Sequence, residues 1–420
     1  MEALLSRDAK NRLNPVYSVC SSHHLVIKAA LEVAASSGDI ALIEATCNQV
    51  NQFGGYTGMQ ASDFHSFVRD IASDIPAARF VLGGDHLGPN PWRNLPADEA
   101  MNHAEVMVTS YVAAGFHKIH LDASMPCADD PEVLSDDVIA ARAARLCAAA
   151  ETAAKPGQLP IYVIGTEVPK PGGVVGDVHE VHATSAAAAA AALTSHKLAW
   201  KLAGLESAWA RVVGLVVQPG VEFSDDSVSL YAPENAKPLS QWLRESTEGI
   251  VFEAHSTDYQ PDAALAALVQ DDFRILKVGP GLTFALREVL YSIDAIARVL
   301  FPESNRKELP RALEQIMLEK TAHWISYYRD PASAAIKRHF SYSDRIRYYW
   351  NEPDAIEAVA ALRSELADAE IPETLVSQFL PDIYKKLPRN ERVSFDILVT
   401  LKLHQSMSAY VNACKSGKGA

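Results

Sequence analysis

Cysteine is scarce in this chain, and its arrangement excludes two classes of small protein. The five cysteines are odd in number and widely spaced, and no two of them form a CxxC pair. Such spacing indicates neither a disulfide framework nor a zinc ribbon. Reduced thiols in a cytosol fit this pattern best.

Positive charge is also in deficit, because 38 Lys and Arg face 52 Asp and Glu and leave a net charge of −14. Nothing in that balance would offset the repulsion of a phosphate backbone or an anionic membrane, so we expect neither nucleic acid nor membrane as a partner. No apolar run approaches membrane-spanning length. Residues 1–8 lack the basic start and apolar core of a signal peptide, so we expect a soluble, cytoplasmic protein.

The composition that remains is that of an ordinary globular protein, with 48% hydrophobic and 21% charged residues. At 420 residues the chain exceeds the usual size of a single core. One large barrel with an appendage, or two domains, is therefore expected.

One stretch combines an apolar run, a sudden polar pair and a cluster of helix and strand breakers. Residues 80–82 are apolar, Gly83 and Gly84 follow, and Asp85 and His86 stand side by side before a segment rich in glycine and proline. This is typical of a buried strand that reaches the surface at an active-site mouth, although an ordinary strand-ending turn explains it equally well.

The same pattern recurs along the chain, which favours the first interpretation. Eight short β-rich runs each end in a polar or glycine-rich segment, and helical patterns separate them. Nearly continuous apolar strands that alternate with helices predict a closed (β/α)₈ barrel. A doubly wound sheet is the alternative, but its GxGxxG fingerprint follows none of the strands. The runs are residues 15–20, 40–43, 80–82, 118–121, 160–164, 212–217, 249–253 and 274–278.

Helix signals lie between these runs. Ser62 is the predicted N-cap of a helix that ends near Ile71, Pro96 begins another, and Ser135 opens a long alanine-rich one. The alanine tract 186–192 is low in complexity but is predicted to be helical, because alanine is the strongest helix former.

The strand signal disappears after Phe301, so we divide the chain into a barrel of residues 1–303 and a C-terminal helical extension of residues 304–420 packed on it. Residues 309–328, 354–370 and 394–410 have helical patterns. Within the extension, residues 341–350 are dense in donors and aromatics. They are interpreted as a packing and ion-pair segment or as a lid that supplies Arg345 to an anionic substrate.

The catalytic groups of such barrels come from the carboxyl ends of the strands, which converge on one mouth. Converging imidazoles and carboxylates are the ligand set of a divalent metal with open positions for substrate. We predict His86, Glu167 and His255 as metal ligands, Asp122 or water as the completing ligand, and Asp85 or a neighbouring acid as the proton carrier. His120 is predicted to be a core or supporting imidazole. The strand ends supply Glu44, Asp85, His86, Asp122, Glu167, Gln218, His255, Asp258 and Lys277.

The end of the last strand predicts a phosphate site. Lys277 precedes Gly279 and Gly281, and backbone N–H groups with a nearby cation often hold phosphate at this place in a barrel. Pro280 removes one of those donors, which weakens the prediction.

Long motifs in this chain closely resemble the GatZ/KbaZ-like family. They include Glu44-Ala45-Thr46, Gly83-Gly84-Asp85-His86 with Leu87-Gly88-Pro89-Asn90, Lys118-Ile119-His120-Leu121-Asp122, Val217-Gln218-Pro219-Gly220, Glu253-Ala254-His255-Ser256 and Ser343-Asp344-Arg345-Ile346-Arg347. The resemblance spans nearly the whole chain. It implies a barrel like that of the class II aldolases and one of three activities: a tagatose-6-phosphate kinase, an accessory subunit of class II tagatose-bisphosphate aldolase, or a ketohexose or ketohexose-phosphate 4-epimerase.

The resemblance also implies roles for single residues. Asp85 matches the proton-transferring aspartate of class II aldolases and His86 the metal histidine that follows it, while Glu167 and His255 match further positions of that site. Gln218 stands where those enzymes have another metal histidine. This departure means either that Glu167 or Asp122 substitutes or that metal binding is weakened.

Chemistry selects among the three activities. A kinase needs a nucleotide cradle, and the sequence has no GxxxxGK[ST] motif. The C4 hydrogen of a 2-ketose is not adjacent to the carbonyl, so epimerisation there requires either nicotinamide chemistry or cleavage of the C3–C4 bond. The sequence has no dinucleotide-binding fingerprint, which leaves cleavage of the C3–C4 bond. The resemblance therefore implies a metal-dependent 4-epimerase that interconverts tagatose and fructose as 6-phosphates.

The alternatives are a non-catalytic partner of a separate class II aldolase and a self-sufficient aldolase. We also expect a homo-oligomer, and the sequence does not distinguish zinc, manganese and magnesium.

Overall fold

A computed structural model describes residues 13–166, 168, 181–388 and 391–418 of the chain. Its strands are β1 (Val16–Val19), β2 (Ala41–Thr46), β3 (Phe80–Leu87), β4 (Lys118–Leu121), β5 (Ile161–Ile164), β6 (Val212–Val216), β7 (Glu222–Phe223), β8 (Val228–Ser229), β9 (Val251–Ala254) and β10 (Phe273–Val278).

The helices in the barrel region are α1 (His24–Ser37), α2 (Ala61–Ser73), α3 (Ala97–Ala113), α4 (Asp136–Ala153), α5 (Ala186–Leu202), α6 (Glu206–Trp209), α7 (Pro233–Glu245), α8 (Asp262–Gln270) and α9 (Pro280–Leu300). The helices that follow are α10 (Leu309–Glu319), α11 (Pro331–Phe340), α12 (Pro353–Glu365), α13 (Glu373–Phe379) and α14 (Phe395–Gly417). Short 3₁₀ turns cover Asn90–Trp92, Thr321–His323, Arg345–Tyr349 and Tyr384–Lys386.

Eight of the strands close into a parallel barrel, and β7 and β8 form a separate antiparallel hairpin. The barrel order is β1, β10, β9, β6, β5, β4, β3, β2, so the predicted (β/α)₈ fold is confirmed. Each of the eight predicted runs coincides with a barrel strand. No strand follows residue 278 in the described ranges, in agreement with the predicted helical C-terminal part.

Side chains alternate between the barrel interior and the helix layer, as strand geometry requires. In β2, Leu42 belongs to the apolar cluster inside the barrel and Ile43 to the cluster beneath the helices. The interior cluster also contains Leu13, Val81, Val163, Val213, Val251 and Ile275. These residues fill the barrel interior, and the charged side chains at later strand positions lie beyond them.

Several helix boundaries differ from the predictions, and two of these differences have a clear physical reason. The N-cap of α2 is Gln60 rather than Ser62, because Gln60 and Asp63 form a reciprocal capping box that begins the helix earlier. The predicted helix over residues 309–328 ends at Glu319, and the Trp324 indole N–H then donates to the Met317 carbonyl (2.6 Å) as the chain turns. Ser135 and Ser185 cap α4 and α5 with their side-chain oxygens.

The last helix packs on the barrel beside the first one. Helix α14 contacts α1, α8 and α9. His404 of α14 lies 3.1 Å from Glu32 of α1, and the Tyr410 hydroxyl donates to the Thr257 carbonyl (2.7 Å) at the end of β9. The C-terminal residues therefore complete the layer of helices around the strands.

Residues 341–350 are fastened to the loops at the carboxyl ends of the strands. The Tyr342 N–H donates to the Asp225 carbonyl (2.8 Å), and the Tyr259 hydroxyl donates to the Tyr342 carbonyl (2.7 Å). Lys337 also pairs with the Asp225 carboxylate at 2.9 Å. This segment consequently lies at the mouth of the barrel.

Candidate active site at the barrel mouth

A layer of buried ion pairs lies between the apolar interior and the mouth. The Lys118 Nζ atom is 2.8 Å from Glu44 Oε1 and 2.7 Å from Glu253 Oε2. All three side chains are at most 1% exposed. Gly83 makes room for this layer, since a Cβ atom there would lie 2.4 Å from Glu44 Oε1. A buried charge is tolerated only when it is paired, so Lys118 is held in place from both sides.

Lys277 joins this layer to the mouth. Its ammonium group contacts the Glu44 carboxylate and lies 3.2 Å from Asp85 Oδ1. Burial lowers the pKa of Lys277. The Cys20 thiol is 3.8 Å from Asp85 Oδ2, and burial raises its pKa to about 12, so the thiol stays protonated.

A β-bulge brings Asp85 and His86 to the same site. Gly84 pairs with Ile119 and Leu87 with Leu121, so three steps along β3 match two steps along β4. His86 has a φ of 49°, the left-handed conformation that side chains rarely adopt. In a regular strand, neighbouring side chains point to opposite faces, whereas this bulge allows both to lie at the mouth.

The bulge also depends on a close approach of two chain segments. A Cβ atom on Gly88 would lie 1.6 Å from the Asp122 carbonyl oxygen, so only glycine fits at this position. The Asp122 N–H donates to the Leu87 carbonyl (3.0 Å), which holds the ends of β3 and β4 together. Asp122 is thereby fixed next to His86.

The two mouth histidines each have a carboxylate on one ring nitrogen. His86 Nδ1 is 2.8 Å from Asp122 Oδ2, and His255 Nε2 is 3.0 Å from Glu253 Oε1. Ionised carboxylates only accept, so they favour a proton on the ring nitrogen that faces them. The remaining nitrogens, His86 Nε2 and His255 Nδ1, face each other at 3.1 Å. Two lone pairs at this separation require a shared proton or a cation between them.

His120 belongs to the same cluster. Its Nδ1 atom is 2.9 Å from Asp85 Oδ1 and accepts the His86 N–H at 3.2 Å. Its Nε2 atom is buried and has no hydrogen-bond partner among the described residues. Ligand atoms of Asp85, His120, Glu253 and His255 all lie within 4.8 Å of one another. The described part of the chain therefore contains a cluster of imidazoles and carboxylates that could hold a metal ion.

A divalent metal also fits the pair of facing imidazole nitrogens, of which only the His255 side chain belongs to that four-residue group. His86 and His255 would present the two facing nitrogens, and Asp122 and Glu253 would orient their rings from behind, which is the usual arrangement of metal-bound histidines. Glu167, the third predicted ligand, lies outside the described residues.

The electrostatics of the site favour an ionised Asp85. Burial opposes its ionisation, but the charges of His86 and His255 and the contact with His120 hold the pKa of Asp85 well below its usual value. Burial likewise opposes protonation of His86, yet Asp85 and Asp122 raise the pKa of His86 above its usual value. Burial lowers the pKa of His255.

A cavity opens above this cluster. The loop after β2 contributes Tyr56 and Gln49, and the C-terminal segment contributes Arg347 and Tyr348. The other lining residues are Cys20, Thr46, Asn48, Asp85, His86, Phe223, His255, Ser256, Asp258, Lys277, Val278, Gly279 and Pro280. Substrate in this cavity would lie between the histidines and the C-terminal segment.

The predicted phosphate cradle after β10 is already occupied by a carboxylate. Asp258 Oδ1 accepts the N–H groups of Gly279 (2.9 Å) and Gly281 (2.7 Å) at the start of α9. Burial raises the pKa of Asp258 to about 6. Gly279 and Lys277 do line the cavity, but the backbone donors on which the prediction relied are committed to Asp258.

Two further residues of the predicted site, Gln218 and Arg345, are not among the residues that line this cavity. The Gln218 side-chain oxygen accepts the N–H groups of Gly220 (2.8 Å) and Val221 (2.9 Å) and so stabilises its own turn. Arg345 donates to the His323 carbonyl (2.6 Å) and lies over the rings of Tyr327 and Tyr348. The arginine that lines the cavity is Arg347, two residues further on.

Several residues of the site were not selected from the sequence. Lys118 and Glu253 occupy inward positions of β4 and β9, where a charged residue inside an apolar run is the signal that could have identified them. His120 was assigned a supporting role, and its contacts with Asp85 and His86 agree with that role while also making it a potential ligand. Tyr56 and Arg347 carry no such signal, because long loops bring them to the mouth.

A closed eight-stranded parallel barrel with an imidazole–carboxylate cluster at its mouth defines a (β/α)₈ protein with an enzyme-type site. The chain belongs to the family described as D-tagatose-1,6-bisphosphate aldolase subunit GatZ/KbaZ-like, whose model matches residues 1–415. The family predicted from the motifs is thereby confirmed.

Similar proteins carry different descriptions. The D-tagatose-1,6-bisphosphate aldolase subunit GatZ of Klebsiella pneumoniae subsp. pneumoniae is 48% identical over 422 residues, covering 99% of each chain. The D-tagatose 6-phosphate 4-epimerase of Agrobacterium fabrum is 50% identical over 373 residues, covering 88% of each chain. The crystal structure of a probable tagatose 6 phosphate kinase from Sinorhizobium meliloti 1021 has a TM-score of 0.88 and 49% identity, covering 95% of this chain and 100% of that one.

Proposed function

We propose that this chain is a metal-dependent 4-epimerase that interconverts D-tagatose 6-phosphate and D-fructose 6-phosphate by breaking and remaking the C3–C4 bond. The observation that carries the proposal is the convergence of Asp85, His86 and His255 on one cavity, with a carboxylate behind each histidine. The description of the Agrobacterium fabrum relative as a D-tagatose 6-phosphate 4-epimerase supports it.

A divalent cation held by His86 and His255, when bound, supplies positive charge beside the C2 carbonyl oxygen of the ketose. Asp122 and Glu253 position the two imidazoles through the contacts described above. Glu167, which we predicted as a further ligand from the sequence, remains part of this proposal.

Asp85 would move the proton. As an ionised carboxylate it takes the proton of the C4 hydroxyl, the C3–C4 electron pair moves toward C3 and the carbonyl, and an aldehyde forms at C4. Rotation of that aldehyde presents its other face, the C3–C4 bond forms again, and Asp85 returns the proton to the C4 oxygen. Atoms and electrons balance without any further reactant.

Neighbouring cations would assist Asp85. Lys277, 3.2 Å from Asp85 Oδ1, stabilises the carboxylate, and Glu44 in turn holds Lys277. Glu44 and Asp122 are the other strand-end acids that we predict as catalytic residues. Their contacts favour positioning roles, because Glu44 is fully buried against two lysines and Asp122 is bonded to His86.

The simplest test uses the purified chain alone. With D-tagatose 6-phosphate and a divalent metal, it should form D-fructose 6-phosphate, and a chelator should stop the reaction. Absence of fructose 6-phosphate with zinc, manganese and magnesium in turn would refute the proposal.

The second candidate is a non-catalytic subunit of a class II tagatose-1,6-bisphosphate aldolase, which the description of the Klebsiella pneumoniae relative favours. If that role is correct, an aldolase polypeptide should co-purify with the chain and lose activity without it. The 4-epimerase proposal includes three further points. The substrates are sugar phosphates, the protein acts in galactitol or tagatose catabolism in the cytoplasm, and it forms a homo-oligomer. Among the described residues, no helix is long and apolar enough to cross a membrane.

A further inference from the structure

Arg347 is a cavity-lining cation that interacts with the carboxylates of Asp344 and Asp258 only beyond ion-pair distance. No acidic side chain of the described residues forms an ion pair with it, and its hydrogen bonds go to neutral oxygens. Lys277, the other cavity-lining cation, is in contact with Glu44 and Asp85. A guanidinium that lines a cavity without a carboxylate in direct contact is a natural partner for an anionic ligand.

The donors of Arg347 are only partly used. The Nη1 group donates to the carbonyl oxygens of Ser343 and Asp344, and Nη2 is 3.0 Å from the Tyr348 hydroxyl. A guanidinium has five N–H groups. In the described part of the chain, the Nε–H and one Nη2–H therefore have no protein acceptor and remain for a ligand.

A second arginine strengthens the positive potential at this wall. Arg345 and Arg347 each have a guanidinium carbon 4.5 Å from the centroid of the Tyr348 ring. Burial opposes ionisation of the Tyr348 hydroxyl, but Arg347 and Arg345 lower its pKa below the usual value. Arg345 does not line the cavity, but its positive charge lies behind Tyr348, which does.

The start of α9, which contributes Gly279 to the same cavity, cannot take an anion as readily. The N–H groups of Gly279 and Gly281 at the start of α9 donate to Asp258, and a carboxylate there would repel a phosphate. The cavity thus has carboxylates around the histidine cluster and beside α9, and it has Arg347 beside Tyr56 and Tyr348.

We propose that Arg347 binds the phosphate group of the substrate and makes the enzyme prefer a phosphorylated ketohexose to the free sugar. This inference rests on the proposed function, because it assigns the substrate class of the same site. Tyr56, whose ring centroid lies 4.5 Å from that of Tyr348, offers its hydroxyl at the same wall. The sugar would then lie with its phosphate toward Arg347 and its carbonyl toward His86 and His255.

The test compares Arg347→Gln with the wild type on two substrates and one probe. The ratio of kcat/KM for D-tagatose 6-phosphate to that for D-tagatose should fall roughly ten- to a hundredfold, the usual effect of losing a charged hydrogen bond. Calorimetric binding of inorganic phosphate should weaken by a similar factor. Arg347→Lys should retain part of the preference, because it keeps the charge and loses the fork.

Arg363→Gln is the matched control, since Arg363 is an exposed arginine paired with Asp396. It should change neither the ratio nor phosphate binding. Tyr56→Phe gives a smaller loss and serves if the Arg347 variants fail to fold. An unchanged ratio and unchanged phosphate binding in Arg347→Gln would overturn the inference. A wild type that binds phosphate through Arg347 but forms no fructose 6-phosphate would instead reject the proposed function.

Discussion

At the scale of the residue, Asp85 is the side chain on which the proposed reaction depends most. It lies 2.9 Å from His120 and 3.2 Å from Lys277, and it follows directly the glycines that shape β3. These contacts keep it ionised, so its proposed role is to accept a proton. The strand-end pattern assigned this role to Asp85 or a neighbouring acid, and the family resemblance narrowed it to Asp85.

Asp85→Asn should therefore lower kcat by roughly 10²–10⁴-fold, because an amide cannot accept the hydroxyl proton. The measurement is the initial rate of fructose 6-phosphate formation at saturating metal. Asp39→Asn, at an exposed ion pair with Lys418 before β2, is the control and should leave the rate as in the wild type. A rate within threefold of wild type for Asp85→Asn would remove Asp85 from the mechanism.

Asp122→Asn tests the orientation of His86. The carboxylate fixes the proton on His86 Nδ1, and an amide can present an N–H to that nitrogen instead. Metal affinity, measured by titration with a chelator dye, should fall about 10–100-fold. Activity should recover largely at saturating metal, whereas a proton carrier would stay inactive there.

Asp258→Asn tests the carboxylate that caps α9. Burial raises the pKa of Asp258 from 3.8 to about 6, so the folded state binds more protons than the unfolded state between these values. Stability contributed by this group is thus present at low pH and declines as pH rises toward 6.

The asparagine variant keeps an oxygen for the two N–H groups and cannot ionise. Its free energy of unfolding relative to wild type should therefore increase by up to about 3 kcal/mol between pH 4 and pH 8. Denaturant unfolding at several pH values measures this difference. A relative stability that is constant with pH would mean that Asp258 is not buried as an acid with a raised pKa.

At the scale of the element, the barrel strands were predictable and the bulge was not. Each strand is a short apolar run ended by a polar or glycine-rich segment, because both of its faces are buried. The bulge at Asp85 and His86 arises from the pairing of β3 with β4, which depends on residues far apart in the chain. In the sequence, Gly88 is the residue that marks the bulge. The reason it must be glycine, its close contact with the Asp122 carbonyl, is seen only in the structure.

The substitution Gly88→Ala should accordingly destabilise the protein strongly. Its Cβ atom would lie 1.6 Å from the Asp122 carbonyl oxygen, so the β3 and β4 ends must separate. We expect a loss of about 3 kcal/mol or more in the free energy of unfolding, as for serious overpacking, together with loss of metal binding. Gly157→Ala has a φ of 81° but no atom within 4 Å of its Cβ, and it should cost only about 1 kcal/mol.

The role of the segment at residues 341–350 likewise depends on contacts between distant residues and could not be predicted from the sequence. Its density of donors and aromatics predicted either packing or a lid, and the structure gives it features of both. Arg345 is buried against Tyr327 and Tyr348, while Arg347 lines the cavity. The sequence could not separate the two arginines, because they lie in a 3₁₀ turn whose orientation is set by contacts with Asp225 and Tyr259.

At the scale of the whole molecule, the last helix, α14, packs against the first strand and the first helix of the barrel. Helix α14 packs beside α1 and α8, and Tyr410 reaches the Thr257 carbonyl at the end of β9. The division into residues 1–303 and 304–420 remains a prediction about sequence organisation. The packing of α14 indicates that the first part would expose a large apolar surface without the second.

A chain truncated after residue 393, which lacks α14, should therefore fail to unfold cooperatively and should bind a hydrophobic dye. Circular dichroism during heating, compared with the full chain, measures this. The milder variant Tyr410→Phe should lose about 1 kcal/mol, the usual net value of one hydrogen bond, and retain a cooperative transition. A truncated protein as stable as the full chain would show that α14 is dispensable.

The central claim is that this site breaks and remakes the C3–C4 bond of a ketohexose phosphate. The most direct measurement is the ¹³C kinetic isotope effect at C3 during conversion of D-tagatose 6-phosphate to D-fructose 6-phosphate by the purified chain with metal. Cleavage of the C3–C4 bond should give a normal isotope effect at C3 as well as at C4, because both carbons lose the bond between them. Conversion with an isotope effect at C4 alone, or no conversion, would contradict it.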